Sequence, residues 1–342
     1  MKLFKNANLV DLENGKVQLV DILVDNAGKI DQIEREIKTD ADVCDLQCNY
    51  VIPAFVNSFC DSAMALKNSY GIDASDDNKK VLAQQLLCVK NLTAGAIFFN
   101  DRVALRNVDE KAETELDEIC ENAAKEKDKI FAKVGLNLEE LGTIDKHYGK
   151  TLTEVLEEFG FLDREFVLVG GNCLEKDELR LLKNYDAKIV VTPNEDGRLG
   201  RRPTNLNTLR NLDFDIAIGS GDFAEIDFFA FMRQMILTQR GLFEDKNIMD
   251  EKMAFKIACN GDVFGIKNAV ETKNFANFAV VLKENSLQND VLKELVWSKS
   301  KKDVLMTVCN GEILQKNGKI FMQNLPQYDT IITAIQQEIR RK

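Results

Sequence analysis

The chain has 342 residues, 45% of them hydrophobic and 30% charged, with a formal net charge of −11. That acidity disfavours nucleic acid and anionic lipid, and neither is expected as a partner, because both attract a basic face. No apolar run approaches the roughly 18 residues a membrane span needs, and the first twenty residues alternate apolar and polar without the apolar block of a signal peptide, so a cytoplasmic protein is expected.

The length suits one large domain, or a large and a small one. Eight cysteines, at positions 44, 48, 60, 88, 120, 173, 259 and 309, read as reduced, mostly buried small apolar residues rather than as a disulfide framework. Cys44 and Cys48 are the close pair, but no second cysteine or histidine pair completes a zinc site. A single histidine, His147, rules out a histidine-ligated metal centre. It lies in the polar stretch IDKHYGKTL and reads as a surface-loop or cap residue ahead of a helix that starts near Thr151.

In chain order, the first fifty residues predict short strands joined by turns: KVQLVDILVD alternates, NAGKID supplies a glycine turn and CDLQCNYVI leads out. The middle of the chain alternates strand-like runs with amphipathic helices. The strand candidates are VIPAFVNSF, AGAIFF, RVALRN, IFAKVGL, EFVLVGG, AKIVVT and DIAIGSG, short and apolar as strands buried on both faces should be. The helix candidates are DNKKVLAQQLLCVKNL, KAETELDEICENAAKEK, TLTEVLEEFG, KDELRLLKNY, TNLNTLRNL and FFAFMRQMILTQ. Such alternation predicts a parallel sheet with right-handed crossovers, and seven strands fit a closed or nearly closed α/β barrel better than an open sheet. No G-x-G-x-x-G follows a strand, which counts against a dinucleotide site. The C-terminal part returns to strands, FANFAVVLKE, DVLMTVCNGEIL and KIFMQN, with turns at Asn310-Gly311 and Asn317-Gly318.

The segment VIPAFVNSFCDSAMALKNSYG resembles the strand-1 segment of the amidohydrolase superfamily, in particular the branch that deaminates S-adenosylhomocysteine, methylthioadenosine and related purines or triazines. Pro53, Val56, Asn57, Ala63, Met64 and Leu66 fit that frame, while Phe59 and Asp61 stand where the family has two histidines. LTAGAIFFND is similar to strand 2, FVLVGGNCLEKDELRLL to strand 6, KIVVTPNEDGRLGRRP to strand 7 and DIAIGSGDFAEIDFFAFMR to strand 8 of the family. CNGDVFGIKN and DVLMTVCNGEILQKNGKI are similar to its C-terminal segments. The resemblance implies a TIM-like (β/α) barrel over 51–274, a small β-sandwich from 1–50 and 275–325, and a C-terminal helix at 326–342. Little chain separates AGAIFFND from RVALRNV, so a barrel contracted by one β/α unit, the third, is expected.

Carried onto this chain, the family's metal-ligand positions fall on Phe59, Asp61, Lys133, Gly170 and Gly221, with Asp222 one place later. A lysine repels a divalent ion, and phenylalanine and glycine offer no side-chain donor. Asp61 and Asp222 alone are a poor site for zinc or iron, so no metal and no cofactor is expected. At the expected barrel mouth stand Cys60, Asp61, Lys133, Asn137, Asn172, Cys173, Glu195, Asp196, Arg198, Asp222 and Glu225. A salt bridge of Asp61 with Lys133 in the place of the metal is one reading; a metal-free acid/base or nucleophilic site of Lys133, Asp61 and Cys60 is another. The candidates for ligand binding are Asn137, Asn172, Cys173, Arg198, Arg201, Asp222 and Glu225. DGRLGRRPTN, with Arg198, Arg201 and Arg202, reads as a solvated loop or as an anion-capturing one.

These residues predict a catalytically degenerate amidohydrolase-like protein with a binding, regulatory or scaffolding role, taking a small-molecule ligand or pairing with itself or with an active homologue. The alternative is a metal-independent hydrolase or lyase acting on a nucleoside-like or carboxylated small molecule.

Overall fold

A computed structural model of the chain describes residues 1–100, 105–106, 129–284 and 290–341. The N-terminal strands β1 (Lys2–Asp11), β2 (Lys16–Val24), β3 (Ile30–Glu34), β4 (Asp42–Asp45) and β5 (Tyr50–Pro53) form one sheet with the C-terminal β13 (Phe278–Val281), β14 (Val304–Cys309), β15 (Glu312–Lys316) and β16 (Lys319–Ile320). Its order is β16-β15-β14-β13-β5-β1-β2-β3, with β4 on β1. The two ends of the chain meet where β5 runs antiparallel to β13, Tyr50 opposite Val281 and Pro53 opposite Phe278. Asn310-Gly311 and Asn317-Gly318 all have positive φ, the conformation that tight hairpin turns require and that asparagine and glycine tolerate. Phe4, Ile22, Val51, Phe278 and Val308 are buried in a core belonging to this sheet.

The remaining strands build the TIM-like barrel. β6 (Phe55–Asn57) pairs in parallel with β7 (Ala96–Phe99). β8 (Leu105–Arg106), β9 (Ile130–Val134), β10 (Phe166–Gly170), β11 (Lys188–Val191) and β12 (Ile216–Ile218) follow one another in a second parallel run. The Ser58 N–H donates to the Ile218 carbonyl at 2.8 Å and Cys60 bridges Gly221, so β12 and β6 join the two runs. Every residue of β6, β9, β10 and β12 is buried. Helices cover one face of these strands and the barrel interior the other, which is why they read as apolar runs. Phe59, Phe131, Val167, Val169, Val190 and Ala217 fill that interior, as barrels of this kind require.

Seven barrel strands are present among the described residues. The expected loss of a β/α unit, the expected helix KAETELDEICENAAKEK and Cys120 concern the segment 101–128, which lies outside the described residues apart from 105–106.

The helices are α1 (Ser62–Tyr70), α2 (Asp77–Thr93), α3 (Leu138–Tyr148), α4 (Leu152–Glu158), α5 (Lys176–Asn184), α6 (Pro193–Leu199), α7 (Leu206–Asn211), α8 (Phe228–Phe243), α9 (Glu251–Ala258), α10 (Val291–Ser298) and α11 (Tyr328–Arg340). Their starts carry the short polar side chains that satisfy exposed backbone N–H groups: Asp61, Asp76, Asn137, Thr151, Asp227 and Asp250 all cap in this way. Two expectations change here. His147, expected in a loop or cap, lies in the last turn of α3, where its ring packs edge-on to Tyr148. The first half of DGRLGRRPTN is helical: Pro193 opens α6 at its first position, where a missing N–H costs nothing, and Gly200 closes it with φ of 65°. Among the described residues no helix is long and apolar enough to cross a membrane.

Candidate functional site

Three segments converge at the C-terminal end of the barrel strands. β9 points Lys133 inward at its penultimate position, leaving the side chain 3% exposed. α6 begins directly after β11 and buries Glu195 and Asp196 of its first turn over the strand ends. The turn after β12 brings Gly221 and Asp222, and is pinned by Asn57, whose amide donates to the Ser220 hydroxyl and whose carbonyl accepts the Ser220 N–H, both at 2.9 Å.

The Lys133 ammonium is 2.8 Å from Oε1 and 3.0 Å from Oε2 of Glu195, and 2.8 Å from Oδ1 of Asp222. It also stands 5.1 Å above the centroid of the Phe59 ring, whose face attracts a cation. Oε2 of Glu195 accepts the Asp222 N–H at 3.0 Å, and Oε1 takes the Arg201 guanidinium at 2.5 Å. Glu195 can come this close only because residue 221 lacks a side chain: a Cβ there would lie 1.9 Å from Oε2 of Glu195. At Gly170 a Cβ would lie 2.2 Å from Cδ2 of Leu136, so that position is filled by an apolar neighbour.

These are the positions that the resemblance assigns to the family's metal ligands. Phe59 and Leu136 supply hydrocarbon, Lys133 supplies a positive charge, and the nearby carboxylates already hold Lys133 and Arg201. Among the described residues no three or more His, Cys, Asp or Glu side chains gather where they could bind a metal ion.

The expected pairing of Asp61 with Lys133 is corrected by this geometry. Asp61 caps α1, its carboxylate accepting the Met64 N–H at 2.7 Å, and the carboxylates that meet Lys133 are Glu195 and Asp222. The Cys60 thiol donates to the Asn100 carbonyl, and that of Cys173 to the Leu136 carbonyl, with burial pushing the Cys173 thiol above its ordinary range. Asn137 caps α3, and the Asn172 amide holds the Arg202 carbonyl at 2.8 Å. Arg198 lies on the Phe223 ring and pairs with Glu225 at 2.9 Å. Arg201 is thus engaged by a buried carboxylate and Arg198 by a half-exposed one, which works against the anion-capture reading for these two residues.

Asp196, beside Glu195 on α6, is also buried, at 4% exposed. Its Oδ1 has no hydrogen-bond partner and lies 3.8 Å from the Arg201 guanidinium. Burial and the neighbouring Glu195 carboxylate push its pKa up to about 6, against the opposing pull of Asn172, Arg201 and Lys133.

No family model matches the chain. A 5-methylthioadenosine/S-adenosylhomocysteine deaminase of Bacillus cytotoxicus is 28% identical over 218 residues, 60% of this chain and 50% of the relative. A protein of the same name from Bacillus cereus is 24% identical over 268 residues, 75% of this chain and 62% of the relative. The matches therefore span about half to three fifths of these relatives. Among solved structures, a zinc-bound adenosine deaminase from Xanthomonas campestris has a TM-score of 0.83 at 13% identity, covering 100% of this chain and 99% of that one. A guanine deaminase from C. acetobutylicum with bound guanine has a TM-score of 0.73 at 15% identity, covering 94% of this chain and 100% of its own. Zinc-complexed atrazine chlorohydrolase from Arthrobacter aurescens has a TM-score of 0.75 at 14% identity, with 99% of this chain and 100% of that chain covered.

Proposed function

We propose that this chain, an amidohydrolase-superfamily protein by its relatives and its fold, is a catalytically degenerate member that works by binding rather than by metal-assisted hydrolysis. The observation that carries the reading is the Lys133 ammonium, held 2.8 Å from both Glu195 and Asp222 at the strand ends. In the family's chemistry a divalent ion there lowers the pKa of a bound water and supplies the nucleophile. Here the chain's own ammonium takes the room and the charge of such an ion. An ammonium locked between two carboxylates neither activates water nor acts as a free base.

The metal-independent alternative needs Lys133, Asp61 and Cys60 to work together. Each is engaged elsewhere, in the carboxylate pair, in the cap of α1 and on the Asn100 carbonyl, which favours the binding reading. That role fits a small-molecule ligand at the mouth, and pairing with a second copy or with an active relative. A cytoplasmic location completes the proposal.

Two measurements on the purified protein test it. Elemental analysis should find zinc, iron, nickel and manganese well below one ion per chain. Incubation with 5-methylthioadenosine or S-adenosylhomocysteine, the molecules named for the Bacillus relatives, should release no ammonia above the enzyme-free rate. A stoichiometric metal, or turnover that disappears in Glu195→Gln, would overturn the proposal.

A further inference from the structure

Two cations, Lys133 and Arg201, face three buried carboxyl groups at the barrel mouth: Glu195, Asp222 and Asp196. Glu195 and Asp222 take both cations at contact distance, so the surplus falls on Asp196. Behind Asp196 lies a cavity of about 60 Å³, between α6, the segment 200–206 and α8. Thr204, 7% exposed, borders the same cavity and its hydroxyl also lacks a hydrogen-bond partner. Asp196 and Thr204 thus border one small space, large enough for water and walled also by Val191, Pro193, Pro203, Leu206 and Met235.

The segment 200–206 is held to the barrel by few bonds, and most of them run past Asp196. The Arg201 N–H donates to the Asp196 carbonyl at 2.9 Å and the Arg201 guanidinium reaches Glu195. The Asn172 amide, which also bears on the Asp196 carboxyl, holds the Arg202 carbonyl at 2.8 Å. The Gln239 side chain takes the Thr204 carbonyl at 2.8 Å and the Leu206 N–H at 3.1 Å.

We propose that Asp196 is a proton-operated latch: with its carboxyl protonated the segment 200–206 lies closed on the barrel mouth, and ionisation of the carboxyl loosens it. A protonated Asp196 leaves two cations against two carboxylates, a balanced cluster. An ionised Asp196 leaves a buried negative charge with no cation of its own at contact distance, and such a charge is costly unless water reaches it or a cation moves to it. Arg201 is the nearest mobile cation, and turning it toward Asp196 means leaving Glu195. The charged and titratable groups around Asp196 are Lys133 from β9, Cys173 from the turn after β10, Glu195 from its own helix, and Arg201 with Arg202 from the segment itself. α8 presents the neutral Gln234, Thr238 and Gln239, so it offers Asp196 no charge.

The direction follows from the raised folded-state value of about 6 against an ordinary 3.8. The closed form binds the proton more tightly than an open, hydrated form, so closure is complete in acid and weakens as pH rises through about 6. The latch does not depend on whether the mouth ever turns over a substrate. It requires only that the cluster be built as described.

Hydrogen exchange of the full chain, followed by mass spectrometry at pH 5.5 and 7.5 and corrected for intrinsic rates, tests the latch. Peptides covering 193–206 should open roughly fourfold more readily at the higher pH, while peptides from β10 stay unchanged. Asp196→Asn, which mimics the protonated carboxyl in shape and charge, should hold those peptides closed at both values. Equal protection at the two pH values in the wild type, or a pH response that survives Asp196→Asn, would overturn the latch. If that variant fails to fold, the ¹³C shift of the wild-type Asp196 carboxyl decides. A titration that tracks the loss of protection supports the latch, and one in the ordinary carboxylate range refutes it.

Discussion

Among the described residues two buried lysines, Lys133 and Lys299, lie against carboxylates, and the two sites are built on different terms. Lys299, which is 0% exposed, lies 3.1 Å from Glu284 and 3.6 Å from Glu294. Glu294 also accepts the Tyr50 hydroxyl at 3.0 Å, which ties α10 to strand β5. Glu284 is largely in solvent, and the other oxygen donor is neutral: burial together with Glu294 pushes the Tyr50 hydroxyl up to about 12, so it keeps its proton. The two buried charges there, Lys299 and Glu294, offset each other one to one, with Oε1 of Glu294 facing the ammonium at 3.6 Å without a hydrogen bond. At the barrel mouth Lys133 has two buried carboxylates, Arg201 serves one of them, and Asp196 has the Asn172 amide and Arg201 only at 3.8 Å. A site needed for folding alone tends toward the first arrangement, because an unpaired buried charge is costly. Surplus charge at the mouth marks a place where another demand competes with stability.

The comparison breaks most directly at Lys133. Lys133→Met keeps much of the volume and removes the charge, leaving Glu195 and Asp222 facing each other without an ammonium. A loss of about 3–5 kcal/mol is expected in urea unfolding at pH 7. Adding Glu195→Gln and Asp222→Asn to that change should recover part of the loss, because the stranded charges go with it. A single substitution costing less than about 1 kcal/mol would show that the ammonium is not what holds the mouth together. Lys299→Met should cost less, about 2 kcal/mol, since Glu284 is already hydrated and Glu294 keeps the Tyr50 donor. Equal costs at the two lysines would erase the distinction between the sites.

Asp196→Asn sharpens the contrast with an effect of opposite sign. The folded-state value of about 6 lies above the ordinary 3.8, so the stability contributed by the protonated carboxyl is fully present below about 3.8 and is lost as pH rises through about 6. The variant should therefore match the wild type near pH 4 and exceed it by about 2–3 kcal/mol at pH 7.5, since a tenfold change in proton affinity corresponds to about 1.4 kcal/mol. Paired thermal or urea unfolding at the two pH values reads this directly. A variant less stable than the wild type at pH 7.5 would mean that the ionised carboxylate is well served.

Much of the frame was legible in the residues. Barrel strands such as FVLVG are apolar throughout because both their faces are buried, and helices such as DNKKVLAQQLLCVKNLT carry a clear apolar stripe. The mouth was legible as a group of residues but not as a set of pairs. Lys133 belongs with Glu195 only because PNEDGRL folds as a helix, and a seven-residue segment with a proline, a glycine and three charges carries no helical period. The approach of Glu195 depends further on the missing side chain at Gly221, more than twenty residues along the chain. Asp61 does carry a usable local signal. An aspartate three residues before Met64 at the head of an Ala-Met-Ala-Leu run is an N-cap pattern, and a helix starting there commits the Asp61 carboxylate to its own backbone rather than to Lys133.

The smallest expected effect tests the balanced site on its own terms. Tyr50→Phe removes one hydroxyl and leaves the ring, over which the Lys283 ammonium sits at 5.7 Å, in place. Glu294 then keeps Lys299 but loses its neutral donor, and a cost of about 1 kcal/mol is expected. Tyr50 holds its proton up to about 12, so this cost should stay constant between pH 5 and 8, across the window in which the Asp196→Asn difference grows. A pH-independent loss at one lysine site beside a pH-dependent gain at the other would separate a structural ion pair from a titrating one within the same chain. Unfolding measured for both variants against the wild type across that range shows the separation as a flat line and a rising one. If the Tyr50→Phe difference also changed with pH, Glu294 would itself be titrating there, and the site would not be the balanced one its geometry describes.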